Sequence, residues 1–375
     1  MKGTVFGHSG TRRRFTTFSA AAMAPLLLPG CSSGSPDPSY TEAVQRTWQP
    51  DAPIAVGQLP NLEALVHCAT LAPSSHNTQC WKFGLDAQAI TVQPDLSRRC
   101  PAVDPDDHHL FVSLGCATEN LVLAAHAQGL HAEPVFDPAA GGTIRVPLSP
   151  TRAVTSDRFD AIFERQCTRS EFDGRPVSTA ELRLLEQAGT GTGVRLLIVD
   201  GKAAMERVLA CVVAANTAQM ADPAFVDELT RWIRFDDTEA VRTGDGLFTG
   251  ASGSPSVPRW LGERLFSTFF SAKSENDKYA KHLRSSAGIA VFVSERSDKA
   301  HWVEVGRCYQ RFALLTTALG IRNAFLNQPV EVASIRPQLA AALGLGKGQL
   351  DLVVRFGRGQ AMPRSLRRPV TAVLT

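Results

Sequence analysis

Apolar residues recur at helical spacing in two passes along the chain that can be laid over each other. Leu62, Leu65 and Ala69 form one face at helical spacing, and Leu182, Leu185 and Ala188 form another, 120 positions on at both leucines. Each face leads into an extended apolar segment, 81–85 in the first pass and 194–199 in the second. Two long helical patterns follow. Gly115, Ala117, Leu121, Leu123, Ala127, Gly129 and Leu130 each stand 191 positions before Gly306, Cys308, Phe312, Leu314, Ala318, Gly320 and Ile321. The step from 120 to 191 assigns about 71 extra residues to the second pass, between roughly 200 and 304. That region has helical patterns at 203–221 and 259–270, separated by a polar, Gly/Ser-rich stretch at 243–256. It reads as a lid over something the two passes form together, because long insertions inside compact domains are usually functional. A short helix is expected near 41–48 and a core strand at 350–357.

Composition changes this picture mainly at the N-terminus. Hydrophobic residues make up 44% of the 375 residues and charged residues 20%, which excludes a disordered or collagen-like chain. The apolar run 20–28 is too short to span a bilayer. Lys2, Arg12, Arg13 and Arg14 give residues 1–30 a charge of +4 with no acid, so a net charge of +3 leaves the rest at −1. A near-neutral body argues against nucleic acid as a partner. Residues 11–31 run from paired arginines through an apolar segment to a cysteine, the order of an export signal. The arginines resemble a twin-arginine (Tat) signal, and Leu28-Pro29-Gly30-Cys31 resembles a lipoprotein cleavage site with Cys31 lipidated. Residues 1–31 are therefore expected to be a signal and 32–58 a tether, with the protein in the periplasm or on the outer face of the membrane. The eight cysteines include no CxxC pair and no metal-ligand spacing, so most read as buried apolar residues and no metal is expected. His108 and His109 lack a third ligand and read as a solvated helix start.

Three segments carry candidate chemistry. Pro73-Ser74-Ser75-His76-Asn77-Thr78-Gln79-Cys80-Trp81 joins a helix end to a strand start through a run of polar residues. Taken alone it is a turn-rich loop. Arg165-Gln166-Cys167-Thr168-Arg169 spaces two guanidinium groups around a small polar centre. Residues 355–375 hold Arg355, Arg358, Arg364, Arg367 and Arg368 with no acid. Arginine suits phosphate because its planar fork donates paired hydrogen bonds, although a solvated basic tail would have the same composition. Between them lies the polar turn at Asn327, Gln328 and Pro329.

In this order the segments resemble the nitroreductase superfamily. The first is similar to its PSxxNxQPW loop, with Cys80 in the proline position; the second is similar to its opening basic motif, with Cys167 where Ser or Thr is usual. Over about residues 40–375 the layout is similar to Acg-type single-chain members with a lid. The resemblance implies an α+β fold of two tandem nitroreductase-like halves, 59–150 and 151–375, the second carrying a lid at about 203–285. It implies FMN, with Ser74, Ser75, Asn77 and Gln79 toward the ring and ribityl chain. Arg165, Cys167, Arg169, Arg364, Arg367 and Arg368 would face the phosphate, and the turn at Asn327 and Gln328 would present a backbone N–H to flavin N5. In the family two subunits build each site. Here one chain supplies both contributions, so a monomeric pseudo-dimer with one FMN is expected.

Three functions follow as alternatives. The first is an FMN-dependent oxidoreductase passing two electrons through flavin N5 to a quinone, nitroaromatic or similar small acceptor. Its chemistry is centred on the flavin and requires no catalytic side chain. NAD(P)H is the family's donor, and an exported protein would need another, such as a membrane redox partner. The second is a non-catalytic protein that binds and sequesters FMN beneath its lid. The third is a degenerate fold used for protein contacts, which would leave the arginines scattered.

Overall fold

Two antiparallel sheets form at separate stretches of the chain. The computed structural model describes residues 39–50 and 61–375; the expected signal at 1–31 and most of the tether at 32–58 lie outside the described residues. The first sheet comprises β1 (Trp81–Asp86), β2 (Ala89–Pro94), β3 (Leu130–Ala132), β4 (Val135–Asp137) and β5 (Thr143–Pro150), in the order β1-β2-β5-β3 with β4 also on β5. The second involves strands from later in the chain: β6 (Val194–Val199), then, after the short parallel pair β7 (Ile233–Arg234) and β8 (Leu247–Phe248), β9 (Gly288–Ser294), β10 (Arg322–Phe325) and β11 (Gln349–Gly357). Its order is β10-β11-β9-β6. β9 is buried along its whole length and β11 along all but its first residue, so neither shows an exposed face; β11 carries Asp351 and Arg355 among its buried residues. With helices against both sheets, the chain is α+β, as expected.

The two long helical patterns become the helices His108–Ala127 and Lys299–Ala318, which pack against each other. They cross where the matched glycines meet. A Cβ on Gly115 would lie 2.0 Å from the main-chain oxygen of Val303, and one on Gly306 would lie 1.9 Å from that of Val112. Only hydrogen fits at either point. Polar side chains fasten the same seam. Asn120 donates to the Cys68 carbonyl at 2.9 Å and accepts from Gln310 at 2.6 Å, while Glu119 accepts from both Arg307 and Arg311 at 3.1 Å. A single apolar core runs across the seam, from Phe83 and Ile90 of the first sheet to Phe292, Leu352 and Phe356 of the second.

Two further features place the site. The segment between β6 and β9 holds the helices Lys202–Met220, Pro223–Trp232, Asp237–Thr243, Arg259–Phe269 and Ala272–Arg284. The Gly/Ser-rich stretch at 243–256 is not a plain loop; it contains β8 and a short 3-10 turn at Thr249–Ser252. Beyond β11 the chain returns to the first sheet, where Phe83 N–H donates to the Val373 carbonyl at 2.8 Å and Thr375 N–H to the Phe83 carbonyl at 3.0 Å.

Gly306→Ala should destabilise the protein by about 3 kcal/mol, because the intruding methyl meets a backbone carbonyl that cannot rotate away. Gly201→Ala, where nothing lies within 4 Å of the new Cβ, should cost no more than about 1 kcal/mol. Urea midpoints at unchanged slope measure both.

Candidate functional site

The loop after the helix Leu62–Thr70 adopts a backbone that its sequence does not favour. His76, Asn77 and Gln79 have φ of 50°, 53° and 54°, in the left-handed region, at a cost of about 1–2 kcal/mol per residue. Side-chain amides hold it there. Asn77 Nδ2 donates to the carbonyls of Gly246 (3.1 Å) and Leu366 (3.2 Å), and Gln79 Nε2 donates to that of Gly244 (2.8 Å). Arg368 N–H donates to Gln79 Oε1 at 2.8 Å. The loop, the 244–246 turn and the C-terminal segment are thus clamped together. The cost of the loop conformation is offset by contacts that aim Ser74, Ser75 and His76 into a cavity.

That cavity has a volume of about 220 Å³. Its floor comes from the seam helix (His109, Val112, Ser113, Cys116), one wall from Phe325, Asn327, Gln328, Glu331 and Leu352, and the opposite wall from the segment between β6 and β9. The latter contributes Met220, Phe225, Leu229, Leu247, Phe270 and Tyr279 together with the polar Asn216 and Gln219. A smaller pocket of about 60 Å³ adjoins it, since Pro73, Ser74, Arg169, Leu247 and Phe325 line both. The smaller pocket is lined by Arg165, Arg169, Arg364 and Arg367, and by no carboxylate among the described residues.

The four guanidinium groups are not equivalent. Arg165 is 3% exposed and donates through Nη2 to the Leu71 carbonyl at 3.0 Å, which leaves its Nε and Nη1 buried without a partner. Buried donors are almost always satisfied, so this pair marks a position for an absent acceptor. Arg169 has no hydrogen bond or ion pair among the described residues and faces both spaces. Its loop is held from behind by Arg355, whose Nη2 donates to the carbonyls of Thr168 (3.0 Å) and Ser170 (2.8 Å) and whose guanidinium stacks 4.1 Å from the Phe172 ring. Burial pushes the Arg355 pKa down to about 10. Arg364 is bound to the Phe163 carbonyl and to Glu164 at 2.6 Å.

Arg367 corrects the sequence reading most clearly. It donates to the carbonyls of Thr70, Leu71, Ala72 and Leu366 and to Ser365 Oγ, so every N–H of its fork is already used on protein. Burial, and then the Arg165 charge beside it, push its pKa down to about 9. It ties the end of the helix Leu62–Thr70 to the C-terminal segment. Arg368 lies outside both spaces and donates to the Gln79 carbonyl at 3.1 Å. Asn77 and Gln79 likewise direct their amides at protein carbonyls. Cys167 is half-buried in the smaller pocket, and Asn327 Oδ1 accepts from Val353 N–H at 2.9 Å. Gln328 Oε1 is buried without a partner at the cavity wall.

Sequence reasoning missed or misplaced several residues here. The histidines 108 and 109 are not a solvated helix start. They are 7% and 5% exposed, because the first turn of their helix is pressed onto Asp351 of β11. Glu331 lies three positions beyond Gln328 in the same short helix, Gln328–Glu331, so extending the polar turn by one helical turn would have found it. His76 lies inside the loop already singled out. Burial first, then Arg169 and His109, push its pKa down to about 4, so it is neutral at physiological pH. The described cysteines are free thiols, mostly buried, and the described residues hold no cluster of metal-ligating side chains.

No family model matches the chain. It is 24% identical over 320 residues to "Putative NAD(P)H nitroreductase Rv3131" of Mycobacterium tuberculosis, covering 82% of this chain and 88% of that protein. It is 22% identical over 323 residues to "Putative NAD(P)H nitroreductase acg" of the same organism, covering 83% and 94%. Among solved structures, a nitroreductase with bound FMN from Desulfitobacterium hafniense aligns with a TM-score of 0.38 at 17% identity, over 59% of this chain and 98% of that one. The FMN-dependent nitroreductase NfnB of Mycobacterium smegmatis in complex with NADPH aligns at 0.35 and 14%, over 54% and 88%.

Arg367→Ala should lower stability by at least about 2 kcal/mol, because it strands the buried carbonyls of Thr70 and Ala72 and removes one of the two donors to those of Leu71 and Leu366. Arg169→Ala, which removes a side chain with no protein partner, should lower it by less than about 0.5 kcal/mol. Chemical denaturation of the two variants side by side measures the difference. The similarity to the two mycobacterial proteins runs along most of both chains.

Proposed function

We propose that the chain is an FMN-dependent oxidoreductase of nitroreductase type. It would take two electrons from a nicotinamide or other donor and pass them to a quinone, nitroaromatic or similar acceptor. The observation that carries this reading is the continuity of a partly apolar cavity with a pocket where Arg165 keeps two buried donors unpartnered and Arg169 is unpaired. A planar ring joined to a dianionic phosphate matches both spaces. Arg165 and Arg169 would hold the phosphate, with Arg364 at its edge. Ser74, Ser75, Gln328 and the backbone near Asn327 would surround the ring. When bound, FMN supplies hydride transfer through N5. The printed names of the mycobacterial relatives support NAD(P)H as donor.

Ser74 and Ser75 come from the first stretch of the chain and Arg165, Arg169 and Gln328 from the second, so we propose one FMN per chain within a single-chain pseudo-dimer. The segment between β6 and β9 would be its lid. For a protein exported through a Tat-type signal, the donor would be a membrane redox partner. One feature favours the sequestering alternative: Met220, Phe225, Leu229 and Phe270 of that segment line the cavity and would cover a flavin bound in it. Anaerobic mixing with NADH and NADPH separates the two, since a turning-over enzyme bleaches the flavin and a sequestering protein does not.

Protein lacking residues 1–31 should bind one FMN per chain in equilibrium dialysis. Arg165→Ala should weaken it about 10- to 150-fold, the loss of a charge-assisted hydrogen bond worth about 1.5–3 kcal/mol. Circular dichroism should be unchanged. Unaltered affinity would place the phosphate elsewhere, and a stoichiometry near two would overturn the single site.

A further inference from the structure

Glu331 and His109 meet in the cavity wall, and the hydrogen bonds around them fix how each is turned toward the other. His109 Nε2 lies 3.2 Å from the main-chain oxygen of Asp351. A carbonyl oxygen only accepts, so Nε2 carries a hydrogen. A neutral ring then turns its Nδ1 lone pair toward Glu331 Oε1, 3.7 Å away. An ionised Glu331 would set lone pair against lone pair in a site where the two side chains are only 17% and 6% exposed. That repulsion is relieved when the pair holds one proton, either as a carboxylic acid facing a neutral imidazole or as a carboxylate facing an imidazolium. The other carboxyl oxygen, Oε2, accepts from Gln219 Nε2 at 2.7 Å, which orients the group from the segment between β6 and β9.

The surroundings choose between the two forms. Burial raises the Glu331 pKa, and burial followed by the neighbouring His108 lowers that of His109; both shifts favour the carboxylic acid facing a neutral imidazole. The other charged or titratable groups facing the pair are Asp104, whose carboxylate is held by the N–H groups of His109 and Leu110; Arg336 beyond Glu331; His76 across the cavity; and Tyr279 and Cys100, which sense Glu331. Asp351 takes His108 Nε2 at 3.1 Å and Ser294 N–H at 2.7 Å, so its carboxylate is already occupied.

We propose that Glu331 and His109 form a one-proton store that protonates the acceptor as it is reduced. This rests on the flavin reading above. A quinone becomes a hydroquinone by gaining one hydride, which brings both electrons, and one proton. The hydride comes from the reduced cofactor. The Glu331 O–H bond breaks, a new O–H bond forms on the quinone oxygen, and the pair, now one negative charge richer, is refilled from water. The acceptor class that fits is one whose reduction ends on a basic oxygen, such as a quinone or a nitro group. An acceptor that takes electrons alone would not draw on the store.

Two measurements test this. In cofactor-free protein at neutral pH, the infrared carbonyl band of a protonated carboxyl should be present and should disappear in Glu331→Gln; a wild-type protein without that band overturns the shared proton. In reduced holoprotein, Glu331→Gln should slow reoxidation by benzoquinone about 100-fold and leave reoxidation by ferricyanide within about twofold. Deprotonating a group of raised pKa empties the store, so the wild-type benzoquinone rate should fall as pH rises through that pKa, and Glu331→Gln should be flat. Equal slowing of both acceptors would mean a structural role and overturn the proposal, as would an unchanged benzoquinone rate. If Glu331→Gln does not fold, His109→Gln, which retains a donor for the Asp351 carbonyl, should give the same split between acceptors. FMN affinity and reduction by the donor should be normal in either variant. A wild-type chain that takes up no flavin would instead overturn the oxidoreductase reading, and the hand-over with it, while the carboxyl band would still report the proton.

Discussion

The contact between Gly115 and Gly306 constrains the rest of the structure. Two long helices approach until each backbone touches the other, and that closeness lets residues from both sheets share one core. The same crossing shapes the cavity, because Val112, Ser113 and Cys116 line its floor on the turns around Gly115. Cys116 also donates to the Gly306 carbonyl at 3.3 Å, so one side chain belongs to both the seam and the floor. A wider crossing would move the floor away from the strained loop at 74–79 and from Gln328 together. Cavity geometry is thus inherited from helix packing rather than from the loops that decorate it.

A second consequence concerns how the arginines divide their work. Concentrating guanidinium groups without carboxylates is unfavourable: burial first, and then the Arg165 charge beside it, lower the pKa of Arg367. The fold manages the repulsion by giving most of these groups carbonyl partners. Arg367 and Arg355 become struts, each joining segments far apart in sequence, and Arg364 is shared with Glu164. What is left over, the free edge of Arg165 and the whole of Arg169, is a small and well-supported positive site. An anion there would complete the hydrogen bonding and relieve the charge.

Much of the architecture was legible in the chain because it rests on local periodicity. The faces at 62–69 and 182–188 and the extended runs at 81–85 and 194–199 became elements close to their expected bounds; the paired glycine-bearing helices formed too, but begin seven residues before Gly115 and Gly306 and end before Gly129 and Gly320. The apposition of Ser74 with Arg165 and Arg169 followed from motif resemblance. The partner of each polar group was not legible. Asn77 looks the same in sequence whether its amide meets a ligand or the carbonyls of Gly246 and Leu366, which are 169 and 289 positions away. Arg367 looks like a phosphate ligand until the end of the helix Leu62–Thr70 is seen to aim three carbonyls at it. In sequence His109 is one of two histidines lacking a third metal ligand; in the fold it meets a carbonyl from β11 and a carboxyl from Gln328–Glu331. Such pairings are decided by folding, across distances that no periodicity encodes.

The return of the C-terminal segment to the first sheet gives the site a timetable. Thr70 and Arg367, which meet at 2.8 Å, are 297 positions apart. At synthesis rates of about 5–20 residues per second, the helix that ends at Thr70 leaves the ribosome about 15–60 s before the arginine that secures it. Throughout that interval the edge of β1 lacks its Val373 and Thr375 partners, and the strained loop lacks the clamps from Leu366 and Arg368. The strands of the first sheet are all synthesised early in that time, but the arginine-lined pocket still lacks the residues at 363–367. Completion of the pocket is therefore a late event in the life of the nascent chain, set by the return of its C-terminal segment.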